Sequence, residues 1–300
     1  MLTDFFKLNE PYQTFKTEKD LADHLKRSKD LRNVLYEPDI LKPSPPYAKF
    51  KIRDTYFNNV SFSKTKLDKV VFINCSFEDC LFIGTEIENC EFHNCKFKNC
   101  NTHKIKISKT YVNPSSFSNC FSNIGQSNVA VHLFQQLINN SIDEGQSEFR
   151  RFAEYNFKKW QDRLVINKFW NKEPYEISLG EFIKQYPPSW LYRYFFGYGL
   201  RLRNFILSFA GIFILFFAIN YCNWSKYELT QKDLAINVYD KDSVNMASNF
   251  YYTLDATTKL VDSQFQATTN YGMVWLTLQS VVGFIFLSAL VTIILNRFVK

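Results

Sequence analysis

The chain has 300 residues, 46% of them hydrophobic and 22% charged, and its 36 basic against 29 acidic side chains leave a formal net charge of +7. Such averages would suit one or two soluble domains, but they hide a polar first two thirds and an apolar end, so windows decide rather than means. No nucleophile with a nearby base, no phosphate-binding glycine loop and no metal-ligand set stands out. The expectation is therefore a protein that is not an enzyme and carries no cofactor.

Residues 1–49 read as an N-terminal helical cap. Thr17-Glu18-Lys19-Asp20 has the form of a capping box with Asp in place of Glu. Leu21, Leu25, Leu31, Val34 and Leu35 then give an approximate helical stripe, and Pro43, Pro45 and Pro46 stop any helix. The first ten residues lack a basic start followed by an apolar core, so no cleaved signal peptide is expected.

From Phe50 a five-residue rhythm takes over. Every fifth residue from Ile52 through Phe57, Phe62 and Leu67 to Phe117 is apolar except Thr102, far above what the 46% background would give. Two residues before each centre sits a slender side chain, as at Cys75, Cys80, Thr85, Cys90, Cys95 and Cys100. Two residues after it Asn recurs, as at Asn59, Asn74, Asn89, Asn94 and Asn99, and Asn tolerates the left-handed backbone of a corner.

Units such as Cys75-Ser76-Phe77-Glu78-Asp79 and Cys95-Lys96-Phe97-Lys98-Asn99 resemble the pentapeptide-repeat family, over residues 50–122. The resemblance implies a right-handed quadrilateral β-helix in which Phe57, Phe77, Phe97 and Phe117 stack, as do Leu67, Ile87 and Ile107, and Cys80, Cys100 and Cys120. Thiols spread over different faces do not converge tetrahedrally, so the cysteines read as packing groups and no metal is expected. DNA mimicry, a role of some family members, needs an acidic rod. Here basic residues outnumber acidic ones across the repeats, and no nucleic-acid partner is expected.

After Cys120 the period becomes helical. Val129, Leu133, Phe134, Leu137 and Ile138 form one stripe; Phe149, Phe152, Ala153, Asn156, Trp160 and Leu164 form most of another, with a turn at residues 141–147 between them. Residues 123–203 therefore read as a helical hairpin coupler, or a face for a cytoplasmic protein partner, followed by an interfacial helix from Trp190 to Phe196. Glu173-Pro174 and Pro187-Pro188 are read as bracketing a linker.

Residues 204–300 carry two uncharged apolar runs, Asn204 to Ser225 and Tyr271 to Asn296. Each is long enough as a helix to cross a lipid bilayer. Arg193, Arg201 and Arg203 precede the first run, Arg297 and Lys300 follow the second, and acids dominate between them; the positive-inside rule puts both termini in the cytoplasm.

The order of apolar run, aromatic short helix, Thr-Thr and second run resembles a two-span, pore-loop, potassium-channel-like module. The match is partial. Gly197-Tyr198-Gly199 lies before the first run rather than between the two, and no glycine occurs between Gly211 and Gly272, so potassium selectivity does not carry over. Thr257, Thr258, Lys259 and Asp262 are the pore-loop candidates, either as rings of polar and charged groups in an oligomer or as a solvated loop. Ser280, Phe284, Ser288, Thr292 and Asn296 recur at i+4, with Thr277 three residues before, and put most polar groups of the second run on one stripe, with Gly283 beside Phe284 as a point of bending. That stripe reads as pore lining with Phe284 as a gate, or as helix packing.

The expected fold class is thus mixed: a β-helix, a helical coupler and a two-helix transmembrane hairpin with a pore-loop-like segment. The expected function is an oligomeric ion channel in a bacterial inner membrane, a homo-tetramer by resemblance, gated or assembled through the cytoplasmic repeats. Its partners would be the bilayer and ions. The alternative is a non-conducting, membrane-anchored scaffold or sensor for protein interactions.

Overall fold

A computed structural model describes residues 4–43, 49–231, 246–261 and 265–298. The chain divides into two compact units, Met1–Trp190 and Leu191–Lys300.

The first unit is a β-solenoid with helices at its ends. Parallel strands climb three of its sides: Gln13–Phe15, Asp30–Tyr36, Tyr56–Ser61, Ser76–Glu78 and Lys96–Lys98 on one; Phe50–Arg53, Val70–Ile73, Glu91–His93 and Tyr111–Val112 on the second; Ile40–Leu41, Lys66–Asp68, Glu86–Glu88 and Lys106–Ser108 on the third. The fourth side is held by isolated parallel bridges from Ser61 to Leu81 and from Leu81 to Asn101. Register is set by the buried centres: Phe57 opposes Phe77 and Phe77 opposes Phe97. Their rings stack at 4.7 Å between centroids in both steps, and Phe97 stacks on Phe117 at 4.2 Å.

The corners follow from backbone chemistry. The residue two after each centre holds a positive φ, from Asp54 (52°) and Asn59 (53°) through Asn74, Asp79, Asn89, Asn94 and Asn99 to Lys109 (46°). Asn and Asp dominate because a short polar side chain tolerates this conformation. Pro114 occupies the next such position. Its ring fixes φ on the negative side, and a 3₁₀ turn over Pro114–Phe117 replaces the corner.

The segment expected as a helical cap is only partly helical. Helix α1, Glu18–Arg27, starts at the Thr17–Asp20 capping box. Leu31 and Val34, placed in the helical stripe by spacing, instead lie in the strand Asp30–Tyr36, which pairs in parallel with Tyr56–Ser61. Strands on the first and third sides of the solenoid, Asp30–Tyr36 and Ile40–Leu41, therefore precede Phe50. The stretch from Phe5 to Asn9 lies along the fourth side: Asn101 Nδ2 donates to the Phe5 carbonyl at 2.7 Å, and the Asn9 backbone exchanges two hydrogen bonds with the Asn59 amide.

Two antiparallel helices, α2 (Ser127–Asp143) and α3 (Ser147–Trp170), form the expected hairpin, turning at Gly145. Helix α2 packs on the last coil, where Asn140 acts as a surrogate strand. Its Oδ1 accepts from Thr110 N at 3.0 Å and its Nδ2 donates to Thr110 O at 2.7 Å. Helix α4, Leu179–Phe196, runs through Pro187 and Pro188, so that pair does not break the chain into a linker.

The second unit holds α5 (Leu202–Asn223), α6 (Met246–Thr258) and α7 (Asn270–Phe298), with a short antiparallel pairing of Leu229–Gln231 and Phe265–Ala267. By length and composition, Leu202–Tyr227 and Asn270–Leu295 are each apolar enough to cross a membrane, with mean hydropathies of 2.2 and 2.4. The expected two-helix hairpin is not what is seen. A third helix, α6, sits between the two apolar helices and packs against both.

Candidate functional site

The site with the densest chemistry is the junction of α5, α6 and α7, and it is built on two amides. Asn220 is fully buried near the end of α5. Its Nδ2 donates to Thr253 Oγ1 at 3.0 Å and to Gln279 Oε1 at 3.2 Å, while its Oδ1 accepts from Tyr227 OH at 3.1 Å and Trp275 Nε1 at 3.0 Å. All four hydrogen-bonding positions of the amide are used. Gln279, also fully buried, donates from Nε2 to Thr253 O at 3.2 Å and to Thr257 Oγ1 at 2.8 Å. Asn249 completes the set, donating to Phe217 O and accepting from Thr253 Oγ1.

Such a network explains how a polar helix sits between two apolar ones. An amide buried without partners costs roughly 1–3 kcal/mol or more, so each bond removed would leave a penalty. Where backbones come closest, side-chain size decides. A Cβ on Gly283 would lie 1.6 Å from the Thr257 carbonyl oxygen, so only glycine lets α7 meet the end of α6. Ser280 adds a bond from its Oγ to Ala256 O at 2.9 Å.

The pore-loop candidates divide. Thr257 and Thr258 are buried at the end of α6, each Oγ donating back at 2.7 Å, to Thr253 O and Leu254 O. Lys259 takes a left-handed φ of 54° and holds its ammonium 3.3 Å from Asp255. Asp262 lies outside the described residues.

The stripe predicted on the second run divides too. Ser280 and Gly283 turn to α6, which is the packing alternative for those two. Thr277, Phe284, Ser288 and Thr292 lie at the unit's surface, and Phe284 is 71% exposed. A shallow groove of about 430 Å³ runs over Leu276, Thr277, Ser280, Val281 and Phe284. The sequence reading missed Asn220, Asn249, Thr253 and Gln279. The signal was there: Asn220 and Gln279 are amides inside otherwise apolar runs, where a polar group needs a partner.

Gly197-Tyr198-Gly199 forms a buried 3₁₀ turn with positive φ at all three residues.

In the solenoid the thiols lie against backbone carbonyls, Cys90 Sγ 3.4 Å from Leu67 O and Cys100 Sγ 3.4 Å from Phe77 O, and the stacked pairs Cys75–Cys95, Cys80–Cys100 and Cys100–Cys120 also interact with each other. Burial pushes the Cys90 thiol up to about 12. The solenoid's sides carry ion pairs between coils, Lys66–Glu88 at 2.7 Å and Lys106–Glu86 at 2.6 Å among them, so several of its lysines are paired. Among the described residues no group of three His, Cys, Asp or Glu side chains could hold a metal ion.

No curated protein and no solved structure matches the chain. The family described as Pentapeptide repeats, in eight copies, matches residues 66–101, which lie within the solenoid. The chain thus contains a pentapeptide-repeat β-solenoid, attached to a helical region with two helices long and apolar enough to cross a membrane.

Proposed function

We propose that this chain is a membrane-anchored interaction protein whose pentapeptide-repeat solenoid is the working surface, presented to a protein partner on the cytoplasmic side. The carrying observation is the union in one chain of a fully packed rod, capped at Asn140, with two helices of membrane-crossing length. A rod whose interior is stacked aromatic rings and whose sides are paired charges changes little on binding, which suits a scaffold.

A second reading has a specific observation of its own. Helix α6 has 13 residues, too few for the roughly 20 that cross a bilayer. Inside a membrane such a segment is tolerated only where protein buries it or where it lines a water-filled cavity. The amide network and the Gly283 contact support that kind of placement. In this reading several copies, four by family resemblance, surround an axis with the ends of their α6 helices. Lys259, Asp255 and Asp262 then supply charged rings, and Phe284 a constriction.

One experiment separates the readings. The purified full chain is placed in liposomes, ion flux is followed over a range of voltages, and its state of association is measured in the same membranes. Flux from an oligomer, raised by Phe284→Ala, favours the pore. A monomer without flux leaves the anchored scaffold.

A further inference from the structure

The surface changes character where α3 ends and α4 begins. Trp170 is 71% exposed and Trp190 40%, and Tyr175, Leu179 and Ile183 are exposed between them. Leu179, Ile183 and Trp190 recur at helical spacing and so share one side of α4. The helix already has a packing partner on another side: Phe182 stacks on Phe169 at 4.3 Å, and Ser189 Oγ donates to Asp162 at 2.6 Å. A helix that has satisfied one side and still shows a second apolar one needs a second medium to cover it.

Composition and position identify that medium. Trp and Tyr among Leu and Ile suit the headgroup level, where a ring can be apolar on its body and wet at its tip. Helix α4 continues to Phe196, and only residues 197–201 separate it from the first apolar helix at Leu202. Charge is not the attraction. Lys168, Lys172 and Lys184 are balanced by Glu173, Glu176 and Glu181, Lys172 lies 3.0 Å from Glu176, and Lys168 sits 4.1 Å above the Tyr175 ring.

We propose that Trp170, Tyr175, Leu179, Ile183 and Trp190 form an interfacial surface seated in the headgroup layer of the bilayer, with lipid as its occupant. The proposal rests on the reading of Leu202–Tyr227 and Asn270–Leu295 as membrane spans. Since apolar insertion rather than charge drives it, seating should persist on zwitterionic lipid and at high salt.

The test uses the full chain in phosphatidylcholine vesicles whose acyl chains carry bromine near the headgroup. Tryptophan emission of the wild type is compared with that of a Trp170→Phe, Trp190→Phe double variant. Phe keeps an aromatic ring at both positions, including the edge contact of Trp170 with Phe169, and circular dichroism checks that the variant keeps its fold. The emission obtained by difference, that of Trp170 and Trp190, should fall about twofold on brominated lipid and be shielded from iodide. The variant keeps Trp160, Trp224 and Trp275, and since Trp160 is buried in α3, bromine quenching of the remaining signal reports on Trp224 and Trp275 in the spans. If that signal is quenched by bromine while the difference signal responds only to iodide, the interfacial surface is wrong and the spans stand. A difference signal silent to both quenchers means a second copy or another protein covers the surface, and overturns the lipid assignment. If bromine quenches neither signal, the spans fall and the proposal with them.

Discussion

Cys90 and Gly283 show what a single position controls in each unit. The Cys90 thiol is held up to about 12 by burial, whereas in an unfolded chain it ionises near 8.5. Above about 8.5 the unfolded state gives up a proton that the folded state keeps, so stability is full below that pH and declines as pH rises towards the folded value. The thermal midpoint of the solenoid, followed by circular dichroism, should therefore drop between about pH 8 and pH 10, and less so in Cys90→Ala. A midpoint independent of pH over that range would remove the thiol from the account. At Gly283 the determinant is volume. Gly283→Ala puts a methyl 1.6 Å from the Thr257 carbonyl oxygen, so α6 and α7 must part, at a cost of about 1–3 kcal/mol. Detergent-solubilised protein should melt several degrees lower, while Gly211→Ala, where a Cβ meets nothing within 4 Å, should leave the midpoint unchanged. Equal effects from the two would deny the close approach. The buried role of the cysteines was legible because the five-residue period marks every interior position. The role of Gly283 was not, since the pattern of one helix shows which side is small or polar but not what that side meets.

Elements were legible where one period ruled and obscure where two periods share a spacing. In a five-residue repeat a buried centre and the next slender interior residue are three apart, as Phe57 and Val60 are, and three is also a helical spacing. Leu31 and Val34 stand in that same relation and oppose Phe57 and Val60 across the ladder. They read as helix for that reason. The positive φ at Asn33 makes a corner of what would have been a helical turn. Leu31, Tyr36 and Leu41 even keep the five-residue beat, but one residue out of phase with Ile52 and Phe57, so counting back from Ile52 misses them. The other end of the solenoid gives a testable device. Asn140 closes the ladder by pairing both backbone groups of Thr110, which is buried. Asn140→Ala leaves a buried N–H and C=O without partners and should cost roughly 1–3 kcal/mol. Native-state hydrogen exchange should find Thr110 N–H deprotected in the variant while amides of the central coils, such as Phe77, keep their protection. Uniform loss along the rod would mean that Asn140 stabilises the fold without acting as a cap.

At the scale of the whole molecule, the windows of the sequence separated a repeat-bearing part from an apolar part, and the two compact units have that same division of character. What they left open is the side of the membrane on which the solenoid works, and both functional readings depend on it. Arg193, Arg201 and Arg203 precede the first apolar helix and Arg297 follows the second, and both proposed readings take the side of these basic flanks as the cytoplasmic one. Ser225 is exposed just beyond α5, at the far end of the first span, which makes it a reporter of the opposite side. Cys222 is the one exposed cysteine among the described residues, and the six solenoid thiols are buried. In a Cys222→Ser, Ser225→Cys chain, a membrane-impermeant maleimide added to intact cells should therefore label a single position. Labelling should need no permeabilisation, and the solenoid cysteines should stay unmodified until the protein is denatured, because a buried thiol is not accessible to the reagent. Labelling of Ser225→Cys only after the membrane is opened would place the solenoid outside the cell. The cytoplasmic partner and the gating role of the repeats would then both have to be abandoned, whichever of the two readings the flux measurement favours.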